Sequence, residues 1–510
     1  MADSKREIER KYEATPGTRL PDLTRVAGVS AVVHRGLREL DAVYYDTEDL
    51  RLAADSLTLR RRTGGDDAGW HLKFPVSTGI RDEIHAPLAD TLPHSLAGLL
   101  RSRVRDAETV PVVRLLSSRD VHHLLDEDGV LLAELSIDEV RAERLTAQAH
   151  GATASWTEIE VELADDGDPA FLDAVEQRLH KAGVRSSASA SKLARALAET
   201  APKKQRRKKK SGPAAPLTAG DHVLAYVRDQ IEAVIGFDPA VRRDLPDSVH
   251  RMRVATRRLR SAFKTYRKVL DRTVTDPVGE ELKWLAAELG IDRDQEVLDE
   301  RLGARIAALP RTLLLGPVRG RLRLWSVARR AGSRRRIVSV LDGKRYLALL
   351  ETLDTLLADP PLLPGAAQEP GEALPRAVLK DYERLATRIG HALAQPPGED
   401  RDLAMHEARK AAKRARYAGE AARPALGKPA KKFAKRVKAV QTVLGEHQDS
   451  VVARDALRAL AVQAHGAGES AFTWGLLYGQ EEAAAADRER ELPEVWAQAS
   501  DPGLRSALKS

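Results

Sequence analysis

Apolar and polar side chains alternate with a period of two through much of the first 200 residues. In residues 57–62 and 70–74, apolar positions take one side of the chain and basic positions take the other. Because successive side chains on a strand point to opposite faces, this pattern predicts short strands joined by Gly- and Pro-containing turns into an antiparallel sheet. Helices predicted near residues 20–40 and 168–181, and a closing helix after Ser189, would cover its apolar side.

Beyond residue 216 the period changes to 3.6, and Ala, Leu, Arg and Glu dominate. This pattern predicts an all-helical region, divided by a Pro- and Gly-containing loop near residues 359–375. The fold class is therefore α+β multidomain. We expect a first domain over residues 1–199, a basic flexible linker over 200–216 and a helical domain over 217–510.

Composition narrows the class of protein. The chain has 510 residues and no cysteine, which excludes disulfides, thiolate metal sites and a thiol nucleophile. No apolar run has the length of a membrane span, and the N-terminus lacks the apolar core of a signal peptide, so we expect no membrane partner and a cytoplasmic location. The formal net charge of the chain is +8. Residues 203–210 contain seven basic residues and no acidic one, so 8 − 7 leaves a net charge of +1 for the rest of the chain. That segment is expected to be a solvated linker, with contact to a polyanion as the alternative.

Two distant segments carry rows of carboxylates. Residues 7–11 place Glu7, Glu9 and Lys11 on one strand face. About 150 residues later, Glu158, Glu160 and Glu162 share a face of another strand, with Glu162 expected at the rim. Two carboxylate-faced strands at the two ends of one sheet suggest a metal site.

Cations gather on the strands between these two segments. They are Arg60, Arg62, Lys73, Arg81 and Arg119, while Asp138 lies with the late acids. If the sheet rolls with its charged face inward, the cavity must hold a strongly anionic ligand and a hard cation, or its charges would repel one another. Mg²⁺ or Mn²⁺ with a polyphosphate meets that requirement.

The helical region contains an internal repeat with an offset of 156 residues. His250, Arg253, Arg257 and Arg260 correspond to His406, Arg409, Lys413 and Arg416, and Lys264 extends the first row. We call these two rows the basic stripes, because at about 100° per residue each lies within roughly 80° of a helix circumference. The repeats cover about 217–358 and 376–505. Each stripe is either a solvated face with acidic partners on neighbouring helices or a binding surface for a regular polyanion.

The order of these motifs resembles a known family. The Glu-x-Glu-x-Lys opening, Leu-x-Leu-Arg-x-Arg, the lysine strand, Arg-x-Glu and the late Glu-x-Glu are similar to CYTH-family triphosphate tunnel metalloenzymes across residues 5–198. The helical half resembles the CHAD domain, a conserved-histidine helical domain, across roughly 217–505. The chain is thus identified as a bacterial member of the CYTH–CHAD proteins.

The resemblance implies an eight-stranded antiparallel β-barrel tunnel with flanking helices, followed by two duplicated helical bundles. It implies hydrolysis or cyclisation of triphosphates with Mg²⁺ or Mn²⁺, and binding of inorganic polyphosphate by the helical domain, with association with polyphosphate granules. Metal would be held by Glu7, Glu9, Glu158 and Glu160, which with Asp138 form the catalytic set. The resemblance assigns triphosphate binding to Lys11, Arg60, Arg62, Lys73, Arg81, Arg119 and Lys192, and polyphosphate binding to the basic stripes.

Two positions depart from the family pattern. His85 stands where a second acid often follows Arg-x-Glu, and the repeats differ at Asp292-Arg293-Asp294 and His447-Gln448-Asp449. The leading hypothesis is an inorganic triphosphatase with a polyphosphate-binding module. Thiamine triphosphate hydrolysis, ATP cyclisation, a non-catalytic polyphosphate adaptor and, less favoured, nucleic-acid binding remain alternatives. The oligomeric state is not predicted.

Overall fold

The computed structural model describes residues 3–202, 217–330 and 332–509. The chain divides into two compact units, Met1–Gly212 and Pro213–Ser510. We call them the tunnel unit and the helical unit. The basic segment 203–210 lies outside the described residues, as do the side chains of residues 292–294, so the predictions for them stay predictions.

The tunnel unit is built on one antiparallel sheet that closes on itself. Its strands are β1 (Asp3–Ala14), β2 (Ala31–Asp46), β3 (Thr58–Thr63), β4 (Gly69–Ser77), β5 (Ile80–Pro87), β6 (Val110–Leu125), β7 (Leu131–Arg144), β8 (Thr153–Leu163) and the short β9 (Arg185–Ser186). The order is β5-β4-β3-β2-β6-β7-β8-β1-β9, and a further pairing of β5 with β1 closes a ring of eight strands. This ring confirms the predicted antiparallel barrel.

The barrel has its charged faces inside and its apolar faces outside. Four helices flank the sheet: α1 (Arg51–Ala54), α2 (His94–Val104), α3 (Ala170–Lys181) and α4 (Lys192–Glu199). Leu96 of α2 packs with Trp70 and Leu72, and Leu172 of α3 packs with Ile159. Because helices bury the outer apolar side chains, the alternating charged side chains are left to face the lumen.

The helix predicted near residues 20–40 is wrong. The structure has a short 3₁₀ turn at Leu23–Arg25 and then the long strand β2. A bulge between His34 and Gly36 interrupts the period of two in this strand. This irregularity spaces its polar residues much as a helix would. The helices predicted near 168–181 and after Ser189 are confirmed as α3 and α4.

In the residues that the structure describes, the helical unit is built from helices. They are α5 (Ala219–Arg242), α6 (Ser248–Thr265), α7 (Arg272–Glu288), α8 (Gly290–Ala308), α9 (Val318–Arg330), α10 (Ser333–Asp342), α11 (Lys344–Ala358), α12 (Pro370–Ala394), α13 (Glu399–Gly466), α14 (Phe472–Ala499) and α15 (Pro502–Ser506). The α13 helix bends at Gly427, whose φ of 59° is left-handed and suits glycine.

Two apolar cores hold these helices together, and each takes helices from both sequence repeats. In the larger core, Phe263 of α6 and Phe433 of α13 are buried. In the smaller one, Leu302 of α8 packs with Leu457 of α13 and Trp474 of α14. The two repeats therefore share their cores, and this brings α6 and α13 together. In the described parts of the chain, we find no helix with both the length and the apolar character needed to cross a membrane.

Candidate functional site

A cavity of about 350 Å³ lies inside the barrel. Of the twelve side chains predicted for metal, catalysis or triphosphate binding, all but Asp138 and Glu158 line it. Those that line it are Glu7, Glu9, Lys11, Arg60, Arg62, Lys73, Arg81, Arg119, Glu160 and Lys192. Strands far apart in sequence therefore bring both charge signs to one enclosed space.

Lys192 is the centre of the acidic wall. Its Nζ lies 2.8 Å from Asp138 Oδ2, 2.8 Å from Glu158 Oε1 and 2.5 Å from Glu160 Oε1. The helix α4 begins at Lys192, so the capped first turn of that helix fixes where the ammonium enters the barrel. Although burial opposes it, the three carboxylates raise the pKa of Lys192 well above its usual value.

Asp138 and Glu158 stand behind the cavity wall and hold the groups that form it. Asp138 is fully buried and accepts two hydrogen bonds from Arg119, at 2.7 and 2.8 Å. Glu158 accepts a hydrogen bond from Trp156 Nε1 at 2.6 Å as well as pairing with Lys192. Both carboxylates thus orient the cations that reach the lumen.

Lys11 joins β1 to β8. Its Nζ lies 2.9 Å from Glu9 Oε2 and also contacts Glu160, its cross-strand partner on β8. Although burial opposes the charged form, Glu160 and Glu9 raise the pKa of Lys11. The register of β1 with β8 therefore places the two carboxylate-faced segments side by side where the sheet closes.

Glu7 belongs to a second acidic group, with Glu83. Lys73 Nζ lies 2.6 Å from Glu7 and 3.6 Å from Glu83, and His71 Nδ1 lies 2.7 Å from Glu83. Burial raises the pKa of Glu7 to about 8, and Glu83 adds to the effect. Lys73 and His71 hold the pKa of Glu83 below its usual range, although burial opposes them. Here two carboxyls share a site, and their surroundings move their pKa values in opposite directions.

The remaining cations crowd the other side of the cavity. Arg60 lies 3.8 Å from Glu83 and 3.5 Å from the Tyr44 hydroxyl, while Arg62 contacts Asp67. Burial, Arg60 and Arg119 together lower the pKa of Arg62. Arg81 donates to the carbonyl of Ala190 at 2.5 Å. Neighbouring guanidiniums that repel one another favour a bound anion.

The acidic donors fit a hard divalent cation. Asp138, Glu158 and Glu160 offer oxygens that all lie within 4.8 Å of one another, and carboxylate oxygens suit Mg²⁺ or Mn²⁺. Glu7 and Glu9 lie outside this trio, although both line the same cavity. An ammonium already balances the charge of the trio, so a metal there would compete with Lys192 for its ligands.

Sequence reasoning missed several polar side chains of this cavity. Lys5, Glu134 and Tyr44 line it and were not selected. Glu83 and His71, which pair with each other outside the lining, were not selected either, although the Arg-x-Glu motif contains Glu83 and Glu83 lies 3.6 Å from Lys73. Glu162 lies toward the more exposed side of the cavity, with 32% of its side chain exposed and Lys5 at 2.8 Å, as expected for the rim. His85 packs against the His71 ring, with centroids 4.9 Å apart.

In the helical unit, corresponding arginines of the two stripes make the same local contact. Arg253 donates to the carbonyl of Gly290 at 3.4 Å, and a Cβ added at Gly290 would lie 3.0 Å from its guanidinium. A Cβ at Gly445 would lie 3.6 Å from the Arg409 guanidinium. Each repeat thus has a glycine, Gly290 or Gly445, next to the guanidinium of the second residue in its stripe, and the missing side chain leaves room for that cation.

The two stripes converge at Lys413. Burial, together with repulsion by Arg409, Arg257 and Arg253, lowers the pKa of Lys413 to about 7. Arg409 belongs to the same helix, whereas Arg253 and Arg257 come from α6. Cations from both repeats thus face one another, with Asp449 3.9 Å from Arg409. We call Arg253, Arg257, Arg409 and Lys413 the cation cluster.

Other members of the stripes have more varied surroundings. His406 hydrogen-bonds Gln448 at 2.5 Å, and Arg416 pairs with Glu420 at 2.7 Å. Burial lowers the pKa values of Arg260 and Lys264, the two being close to each other. His250 lines a separate hollow of about 420 Å³ beside Glu296 and Glu300. The structure therefore does not bring His250 and His406 into one site.

Comparison with known proteins adds independent findings. The family model of the CYTH domain matches residues 5–197, and that of the CHAD domain matches residues 225–458. An uncharacterised protein of Mycobacterium tuberculosis is 37% identical over 517 residues, which cover 98% of this chain and 97% of the relative.

Solved structures resemble one unit or the other. The CHAD domain from the plant Ricinus communis aligns with a TM-score of 0.45 and 25% identity over 58% of this chain and 96% of its own. PptA from Streptomyces chartreusis aligns at 0.46 and 20% identity over 55% and 99%. A Hippeastrum protein reported to have a dominant triphosphatase activity aligns at 0.22 and 19% identity over 37% and 93%.

The motif order, the closed charged barrel and both family models agree with one another. The chain belongs to the CYTH–CHAD proteins, and its first domain makes it a member of the metal-dependent triphosphate tunnel enzymes, a family of triphosphatases and cyclases.

Proposed function

We propose that the tunnel unit hydrolyses inorganic triphosphate with Mg²⁺ or Mn²⁺. The observation that carries this proposal is the cavity of about 350 Å³ on which cations from six strands and α4 converge opposite a carboxylate wall. A linear polyanion with no organic group needs only such a charged lumen. The cavity has one aromatic side chain in its lining, Tyr44, which gives little surface for stacking a base.

In this proposal the cations bind and orient the phosphates. Arg60, Arg62 and Lys73 hold one end of the triphosphate, and Arg119 and Lys192 stabilise the charge that moves to the leaving group. Asp138 acts behind the wall by holding Arg119 and Lys192 in place. Glu7, Glu9, Glu158 and Glu160 are the proposed metal ligands. When bound, the divalent cation neutralises phosphate oxygens and supplies Lewis acidity.

The test compares products from tripolyphosphate, thiamine triphosphate and ATP, each with and without Mg²⁺ or Mn²⁺. We expect metal-dependent release of phosphate from tripolyphosphate in the wild type and none in Glu9→Ala. The matched control is Glu13→Ala, because Glu13 lies on the same strand face but outside the cavity lining. Full turnover in Glu9→Ala refutes the metal assignment. Faster turnover of thiamine triphosphate, or cyclic AMP from ATP, selects the alternative substrates.

We also propose that the helical unit binds inorganic polyphosphate through the cation cluster. The supporting observation is that Lys413 is crowded by Arg253, Arg257 and Arg409 from both repeats, an arrangement that an extended polyanion would relieve. The other reading of the stripes, neutralisation by acids, applies best to Arg416, which pairs with Glu420.

Long-chain polyphosphate binding to Arg257→Ala/Lys413→Ala tests this second role. We expect a marked loss of affinity with tripolyphosphate turnover nearly unchanged. The control is Arg376→Ala/Lys283→Ala, which removes two exposed cations of the same unit. Unchanged affinity in the cluster variant would mean that the stripes are an ordinary solvated surface. Equal retention of single-stranded nucleic acid would favour nucleic-acid binding, and binding without any turnover would favour an adaptor.

A further inference from the structure

A second group of metal-ligand side chains lies on the outer face of the barrel wall. His34 on β2 is the cross-strand partner of His122 on β6, and Asp120 precedes His122 by two positions on the same face. Arg119 lines the cavity, so its neighbour Asp120 points away from it. We call His34, Asp120 and His122 the outer trio. It is separated from the tunnel acids by the thickness of the sheet.

The donor atoms of the outer trio are already close together. One atom from each side chain lies within 4.8 Å of the other two. His34 Nε2 lies 2.6 Å from Asp120 Oδ1, and the two imidazole rings have centroids 5.1 Å apart. In a tetrahedral site with bonds of about 2.05 Å, ligand atoms lie about 3.3 Å apart, so small side-chain rotations suffice.

Local backbone structure places His34 in this position. The bulge in β2 falls directly after His34, where Arg35 is an extra residue and Gly36 has a φ of 93°. Nothing lies within 4 Å of a Cβ added at Gly36. Glycine is therefore favoured at this position by its positive φ and not by close packing. The bulge ends the regular alternation and leaves His34, with 60% of its side chain exposed, open to solvent.

We propose that the outer trio binds a borderline transition-metal ion such as Zn²⁺, in a site distinct from the Mg²⁺ or Mn²⁺ site of the tunnel. Two imidazoles and one carboxylate favour Zn²⁺, Co²⁺ or Ni²⁺, whereas Mg²⁺ prefers oxygen ligands only. The ion joins β2 to β6 near one end of the barrel, and it stabilises the folded tunnel unit by mass action.

Another trio in the helical unit lacks these properties. Asp402, His447 and Glu489 also place donor atoms within 4.8 Å of one another. However, Arg454 and Arg401 each lie 2.6 Å from one of its carboxylates, and His447 is fully buried. Two adjacent guanidiniums oppose a cation there, so the outer trio is the better site.

The experiment titrates full-length protein with Zn²⁺ by calorimetry in a large excess of Mg²⁺, which occupies hard-ligand sites. We expect one Zn²⁺ per chain in the wild type. His34→Ala and His122→Ala should each weaken the affinity by at least about tenfold, because the loss of even an outer-shell partner has that effect. His180→Ala is the matched control, since His180 is also exposed and lies 3.9 Å from a single carboxylate, Glu176.

Co²⁺ absorption provides a second readout that does not depend on the alanine variants folding normally. Intense visible bands of tetrahedral Co²⁺ should appear in the wild type and fade in the shape-conserving variant Asp120→Asn. Absence of Zn²⁺ binding by the wild type, or equal affinity in His34→Ala/His122→Ala, overturns the proposal. Tripolyphosphate turnover, measured in each variant, tests the proposed function of the tunnel separately. Absence of turnover therefore does not change the conclusion about metal binding by the outer trio.

Discussion

Replacing Lys192 by methionine tests the charge balance of the tunnel wall. The change keeps the length of the side chain and removes an ammonium that lies within 2.8 Å of three carboxylates, with only 10% of its side chain exposed. Asp138 and Glu160 retain Arg119 as a partner. Glu158 keeps Trp156 Nε1, and its nearest remaining cation is Arg195 at 3.9 Å.

Protonation of a carboxyl limits how much stability Lys192→Met can remove. Removing one partner of a buried ion pair costs about 3–5 kcal/mol. A carboxyl with an ordinary pKa near 4.3 can instead take up a proton, at a cost of about 1.36 kcal/mol per pH unit, which is about 3.7 kcal/mol at about pH 7. The free energy of unfolding of the tunnel unit should therefore fall by about 3 kcal/mol at about pH 7 and by about 1.5 kcal/mol at about pH 5.5. The sign follows because a raised carboxyl pKa in the folded state makes stability decrease as the pH rises.

Hydrogen exchange of β7 and β8 peptides measures this loss within the tunnel unit, independently of the helical unit. Lys5→Met is the control, because Lys5 and Glu162 form an exposed pair and its removal should change stability by less than about 1 kcal/mol. Added Mg²⁺ should restore more stability to Lys192→Met than to the wild type, since it replaces the missing charge. A loss below about 1 kcal/mol at both pH values, with no response to Mg²⁺, would refute the view that Lys192 balances the acidic wall.

Two other predictions concern the helical unit. Because the folded protein holds the pKa of Lys413 at about 7, polyphosphate binding should take up a proton above that pH, and the affinity should fall as pH rises from about 7 to about 9. Lys413→Arg should remove this dependence in a binding titration; a fall of equal steepness in that variant contradicts the assignment. Glu481 is fully buried and accepts hydrogen bonds from Arg301 and Arg305, so Glu481→Gln should destabilise α8 and α14 by about 3 kcal/mol in exchange measurements, whereas the exposed Glu372→Gln should not.

Alternation along the strands made the lumen-facing charges predictable. Once Glu7, Glu9 and Lys11 are assigned to one strand face, the only remaining question is which way that face points. The apolar faces needed helices to cover them, so the charged faces turned inward. Nine of the ten predicted residues that line the cavity lie on strands, and each of these depends on local sequence and on one global decision. The tenth, Lys192, lies on α4 and was assigned from the family resemblance alone.

Partners that depend on distance between chain segments could not be predicted. The sequence gives no separation between Lys192 and Asp138, so Lys192 was assigned to phosphate alone. Glu83 shares a face with Arg81 in the sequence pattern, but its contact with Glu7 depends on how β5 closes onto β1. His34 and His122 meet only through the register of β2 and β6, next to a bulge that period-two reasoning cannot locate.

The ion pairs of the tunnel make the binding of metal and triphosphate interdependent. Lys11, Lys73, Arg119 and Lys192 each pair with a carboxylate in the folded chain. A triphosphate that takes these cations leaves buried carboxylates without partners, and a metal that takes the carboxylates leaves buried cations without partners. Each ligand alone therefore carries an electrostatic penalty that the other removes.

This argument predicts a large coupling free energy between the two ligands. The affinity for tripolyphosphate, measured by calorimetry at low temperature to slow turnover, should rise at least tenfold when the metal is saturating, which is about 1.4 kcal/mol of coupling. Because coupling is reciprocal, tripolyphosphate should raise the metal affinity by the same factor. Lys73→Met should lower the coupling, since Glu7 then has one cation fewer to exchange. Arg6→Met should leave it unchanged, because the exposed pair of Arg6 with Asp82 lies outside the cavity lining. Independent binding of the two ligands would mean that the internal ion pairs stay intact when the tunnel is occupied.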